Sequence, residues 1–60
     1  MEKQLIANKL KDARIASGLT QKEVALSIGR PQQTIAAWET ARSQPDADTL
    51  YSLLVLYNVS

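Results

Sequence analysis

Sixty residues make one domain at most, and a chain this short buries only ~60% of its unfolded surface, so its stability margin is modest. Seven Lys and Arg against six Asp and Glu leave a net charge of +1, which by itself is weak evidence for a nucleic-acid partner. Cysteine and histidine are both absent, which excludes disulfides and removes most zinc sites and general-base arrangements, and the lack of cysteine fits a reducing cytoplasm.

Hydrophobic spacing predicts a first helix over residues 2–17. Ile6, Leu10 and Ala13 form a stripe at +4 and +3 intervals with Leu5 beside it, while Lys3, Lys9, Lys11 and Asp12 fall mostly on the other side. Gly18 should end this helix in the left-handed conformation, leaving Leu19 to plug the space before the next. Thr20 followed three residues later by Glu23 has capping-box spacing, so a second helix should start at Gln21. Val24, Ala25 and Ile28 form its apolar face, and Gly29 stops it by the same left-handed mechanism. Pro31, with its φ already set and no N–H to leave unpaired, reads as the opening of a third helix running to about residue 40. Ile35 and Trp38 would face inward. The opposite face is Gln32, Gln33, Ala36 and Ala37, which is amide-rich, uncharged and otherwise small, whereas a merely solvated face more usually carries Glu and Lys. The short gap containing Gly29 has the length a helix-turn-helix needs, with the motif over about residues 21–39.

Residues 40–45 read as a polar connector. Asp46 is a natural N-cap, with Pro45 ahead of it and Asp48 in the first turn, where the helix dipole favours negative charge. A fourth helix should run to about residue 57 with Leu50, Leu53, Leu54 and Tyr57 as its core face. Asn58 is the expected left-handed stop, Val59 would fold back onto the core, and Ser60 resembles the cap of a fifth helix that the chain does not contain. Val55 and Leu56 widen the apolar surface, either as ordinary exposed hydrophobics or as a patch for a second copy or a missing segment. The expected fold is all-α: a compact bundle of four short helices forming a single domain over residues 1–60.

The run Leu19-Thr20-Gln21, then Glu23-Val24-Ala25, Ile28-Gly29, Thr34-Ile35 and Trp38-Glu39 resembles the Cro/phage-repressor-type (lambda-repressor-like) helix-turn-helix DNA-binding domain. The likeness extends from about Leu10 to the end of the chain. Ala25 would let the two motif helices approach closely. The resemblance implies that Arg14 pairs with Glu39, joining the first helix to the third; the other reading is two unrelated surface charges. It also implies a glycine where this chain has Ala41. A left-handed turn is costlier there, so a backbone contact to phosphate is not carried over at that point, although Arg42 and Ser43 can donate from their side chains.

Enzyme chemistry finds little support. There is no glycine-rich phosphate loop, the serines have no visible base beside them, and helix capping explains Asp46 and Asp48 better than a metal does. No catalytic residue, metal or cofactor is therefore expected. No apolar run approaches the ~18 residues of a membrane span, and Met1-Glu2-Lys3 is not followed by a signal-peptide core. A DNA role fits better. Between Leu19 and Gln44 the bases are Lys22, Arg30 and Arg42, and the only acids, Glu23 and Glu39, have internal roles in this reading. Charge placed on one face steers binding to phosphate more than the total does.

With the third helix entering a major groove N-terminus first, Gln32 and Gln33 lead, and a glutamine matches the donor and acceptor edge of adenine. The resemblance reinforces this pair, because one family member known for its glutamine pair carries it at the aligned positions. Ala36 and Ala37 could touch thymine methyls or serve only helix propensity. Family members often have a longer polar residue at Ala37, which shifts specificity toward DNA shape. Phosphate contacts are expected from Gln21, Lys22, Arg30 and Thr34, and from Thr40, Arg42, Ser43 and Gln44. Arg30 departs from the family, which usually has an apolar or small residue there. The expected function is sequence-specific binding of duplex DNA as a transcriptional regulator of the repressor or antitoxin kind, as a homodimer on two half-sites. The stop at Ser60 fits a fragment with an oligomerising or sensing segment beyond it. The rival readings are a protein-interaction module on the same scaffold and a structural bundle with no partner.

Overall fold

Four helices form along residues 2–58, the part of the chain that the computed structural model describes. They are α1 Lys3–Ala16, α2 Gln21–Ile28, α3 Gln32–Glu39 and α4 Ala47–Leu56. Three of them start on a side-chain oxygen. Glu2 accepts from the N–H groups of Gln4 (2.8 Å) and Leu5 (2.9 Å). Thr20 accepts from Glu23 N–H at 3.1 Å while the Glu23 carboxylate accepts from Thr20 N–H at 2.9 Å, a complete capping box. Asp46 accepts from Thr49 N–H at 2.8 Å, and its hydrogen bonds to Thr49, backbone first, hold its carboxyl below the usual range.

The expected boundaries shift by one residue at Pro31. It stands before α3 with an extended backbone (φ −62°, ψ 146°) rather than inside the first turn. Its carbonyl accepts from Thr34 N–H at 3.0 Å. Fixing φ therefore sets the approach to the helix, and Gln32 takes the first helical position.

Left-handed residues follow the last turn of every helix: Gly18 (φ +75°), Gly29 (+70°), Ala41 (+63°) and Asn58 (+57°). At Gly29 and Ala41 the closure has one pattern. Arg30 N–H returns to Ala25 C=O and Arg42 N–H to Ala37 C=O, each at 3.0 Å, the long-range bond of a Schellman end. The chain thus adopts at Ala41 the turn that glycine would make easily, at a steric cost of about 1–2 kcal/mol for an L-residue.

One core takes residues from all four helices: Leu10, Val24, Ala25, Ile35, Trp38, Leu53 and Tyr57. Ile35, Leu53 and Val24 are fully buried, each stabilising the fold by roughly 1.5–3 kcal/mol. α3 packs against both α1 and α2. The inward face of α1 extends beyond the expected stripe. Leu10 is buried as expected and Ile6 and Ala13 are half-buried and packed against the core, but Ala7 is also buried and Arg14 is half-buried, so the inward face is wider than that stripe. On α4, Leu50 and Leu54 are half-buried at the edge of the core, Leu56 packs against it, and Val55 is 61% exposed. The ends of α1 and α4 meet at Ser17, whose Oγ lies 2.9 Å from the carbonyls of both Ala13 and Tyr57. An apolar groove of about 640 Å³ between α1 and α4 is floored by Leu5, Leu10, Leu50 and Leu54 and rimmed by Lys9 and Asp12. The expectations for Val59 and Ser60 lie outside the described residues.

Candidate nucleic-acid interface

Burying Ile35 and Trp38 on one side of α3 sends the other side outward. Gln32 and Gln33 are exposed at the leading end of the helix, and Ala36 and Ala37 follow, half-buried, a turn later. Pro31 places no capping group over that end. It is the one helix N-terminus among the described residues without a side-chain cap. Its first N–H groups and positive dipole end face outward together with the two carboxamides. Gln21, Pro31, Gln32, Gln33 and Ala36 line one open cleft where the starts of α2 and α3 come side by side.

Beneath this surface lies a cluster of polar side chains. Arg14 Nε donates to Glu39 Oε2 at 2.8 Å and Arg14 Nη2 to Glu39 Oε1 at 3.1 Å, a bidentate pair. The side chains are 12% and 2% exposed. Arg14 Nη1 donates to Leu19 C=O at 2.8 Å, and Gln21 Nε2 donates to Glu39 Oε1 at 3.1 Å. One carboxylate at the end of α3 thereby gathers α1, the loop after it and the start of α2. The hydrogen bond to Glu39 holds the Arg14 guanidinium above its ordinary pKa. Tyr57 closes the other side, and burial, aided by the Glu39 charge, pushes its phenol up to about 12.

The remaining site residues from the sequence divide by what they touch. Lys22 is exposed on α2 and Gln44 on the connector, and Thr34 is half-buried on α3. Arg30 is exposed but shares a shallow cleft with Asp48, Thr49 and Ser52 of α4. Its charge acts on the Asp46 carboxylate, so acidic neighbours offset part of it. Thr40 Oγ1 donates to Ala36 C=O at 2.8 Å, lies 3.3 Å from Ala37 C=O, and accepts from Arg42 Nε at 3.4 Å. Its single hydrogen is thus committed to the helix. The backbone N–H groups of Arg42 and Ser43 both return to Ala37 C=O, at 3.0 and 3.4 Å. Only the side chains of these two exposed residues face outward. Nothing in the residue spacing signals the bond from Gln21 to Glu39 across 18 positions.

Among the described residues no helix is long and apolar enough to cross a membrane. No solved structure matches the chain. The HTH-type transcriptional regulator ImmR of Bacillus subtilis (strain 168) is 40% identical over 55 residues, which covers 92% of this chain and 43% of that protein. The chain therefore spans less than half the length of this curated relative. A family model described as helix-turn-helix matches residues 10–60. With two helices meeting across a left-handed glycine and the second presenting an amide-bearing face, the chain belongs to the helix-turn-helix family of the Cro/C1 type.

Proposed function

We propose that this domain binds duplex DNA sequence-specifically, as a transcriptional regulator of the repressor or antitoxin kind, with α3 in the major groove. The observation that carries the reading is the leading end of α3, which is uncapped, uncharged and exposed, with Gln32 and Gln33 at its tip. An α-helix of about 10–12 Å diameter fits a major groove about 12 Å wide. The two carboxamides offer the paired donor and acceptor that an adenine edge requires, worth roughly 1–3 kcal/mol against a wrong base. Ala36 and Ala37 bring methyl groups to the same face. The exposed cations Lys22, Arg30 and Arg42, with Gln21, Thr34, Ser43 and Gln44, flank it as phosphate contacts that set register without reading sequence; Thr40, expected among them, has its hydroxyl hydrogen on Ala36 C=O instead. The relative's printed role in transcription supports the same reading.

Two copies acting on adjacent half-sites complete the proposal. Such half-sites lie ~34 Å apart, and the domain measures 26 × 25 × 20 Å, so two fit side by side on one face of the duplex. Selection from a random duplex pool tests the reading. The wild type should enrich a motif with two related halves, and Gln32→Ala/Gln33→Ala should lose that preference. An unenriched pool, or unchanged preference in the double variant, overturns it. The apolar groove between α1 and α4 favours a second reading, a protein-interaction module. On that reading binding to duplex would be weak and almost independent of salt.

A further inference from the structure

We propose that Glu39 is a positioning residue for DNA contact, acting through the carboxamide of Gln21; this rests on the DNA-binding reading above. The Glu39 carboxylate has no donor of its own and is 2% exposed, so every group aimed at it must bring a hydrogen. Arg14 supplies two and Gln21 supplies one from Nε2, at 3.1 Å to Oε1. That requirement fixes which way the Gln21 amide faces. Its NH₂ must lie toward Glu39, since the reverse orientation would set two acceptors against each other. One N–H and the carbonyl Oε1 of Gln21 remain free of the carboxylate.

The consequence is a preset hydrogen-bonding unit. Gln21 is half-buried and stands in the same open cleft as Gln32 and Gln33. A free glutamine must give up side-chain rotamer freedom when it binds. This one has its carboxamide held before any duplex arrives, with a donor left for a phosphate oxygen and an acceptor left for an N–H in the cleft. Glu39 is itself held at two points by Arg14, which is anchored to Leu19 C=O at 2.8 Å. The ion pair that joins α1 to α3 is thereby also the support on which a contact at the start of α2 rests. Sequence separations of 25 and 18 residues converge on one carboxylate.

Two measurements on the whole chain test this. The first is NMR of the Gln21 side-chain NH₂ in the free protein. A rigid side-chain order parameter and slowed solvent exchange of the proton that faces Glu39 are expected; a mobile side chain with the exchange rate of a free glutamine overturns the proposal. The second is a binding cycle on the duplex that the wild type selects. Gln21→Ala should weaken binding about fivefold on all duplexes alike, the net effect of one hydrogen bond. With affinity referred to the folded fraction read from Trp38 fluorescence, Glu39→Gln should weaken it by a similar factor in the wild type and by nothing further in the Gln21→Ala background. An equal loss from Glu39→Gln in both backgrounds means that it acts on the fold generally, and overturns the proposal. Where Glu39→Gln does not fold, the NMR measurement alone decides. If Gln21→Ala leaves affinity unchanged while Arg42→Ala lowers it, the positioning role is refuted and the DNA-binding reading stands. If the wild type enriches no duplex, both fall.

Discussion

Breaking the Arg14–Glu39 pair one partner at a time should show how far a 60-residue domain depends on it. In Glu39→Gln, one carbonyl oxygen replaces two carboxylate oxygens that accept from Arg14 Nε, Arg14 Nη2 and Gln21 Nε2. The new NH₂ must then face one of those donors, and Arg14, with its side chain 12% exposed, loses its counter-charge. Removing one partner of such a pair costs about 3–5 kcal/mol. A domain of this size has roughly 3–9 kcal/mol in all, so Glu39→Gln should fall close to the unfolding threshold. Arg14→Met should cost at least as much, because it leaves the more deeply buried carboxylate with Gln21 alone. The double variant still leaves Leu19 C=O without its donor, so it is not neutral. It should nevertheless cost no more than the worse single change, so the coupling is at least the smaller single loss, about 3–5 kcal/mol. Trp38, the sole tryptophan and 5% exposed, reports urea unfolding by fluorescence. With a slope of ~1 kcal/mol per molar urea for so small a chain, the midpoint should drop by roughly 3–5 M in Glu39→Gln. A coupling under ~0.5 kcal/mol, the value of an exposed pair, refutes the reasoning.

Three further outcomes are expected. Ala41→Gly, at the left-handed turn closing α3 (φ +63°), should stabilise the domain by about 0.5–1 kcal/mol, the steric relief less the added chain entropy. That raises Tm by about 2–8 °C in a thermal melt; an unchanged or lower Tm contradicts it. Tyr57, whose phenol is pushed up to about 12 from the ordinary 10, makes the unfolded chain release its proton first. Stability tied to Tyr57 should therefore be intact below pH 10 and fall as pH rises from 10 to 12. Tyr57→Phe should lack that part of the alkaline loss in chemical denaturation at stepped pH. In DNA binding, Arg42→Ala should weaken all sequences alike and reduce the salt slope by about one, whereas Gln33→Ala should change which sequences are preferred. Identical effects of the two on a panel of duplexes remove the distinction between phosphate and base contacts.

The limits of four helices were legible in the residues because the forces that set them act within three to five positions. Thr20 and Glu23 close on each other, Asp46 reaches Thr49, and Gly18 and Gly29 supply left-handed turns without a Cβ. The outward face of α3 was legible for a related reason. Ile35 and Trp38 must be buried, and a helical period then sends Gln32 and Gln33 the other way. The width of a helix's buried face was not decided locally. Periodicity placed the α1 stripe on Ile6, Leu10 and Ala13, which do pack on the core, but the helix also buries Ala7 and half-buries Arg14, because how much of a face is covered depends on the shape of the neighbour.

Tertiary structure alone decided what the polar groups do. The Arg14–Glu39 pairing was implied by a family likeness rather than by any spacing, and Gln21's bond to the same carboxylate was invisible beforehand. Both join residues that meet only after α1, α2 and α3 have packed. Packing likewise brought Arg30 into a cleft with Asp48, and the closed turn after α3 committed the Thr40 hydroxyl and the N–H groups of Arg42 and Ser43. Helix formation is a contest between neighbouring bonds, so sequence can settle it. Whether a donor is free or occupied depends on groups brought together across the fold, and only their arrangement in space answers that.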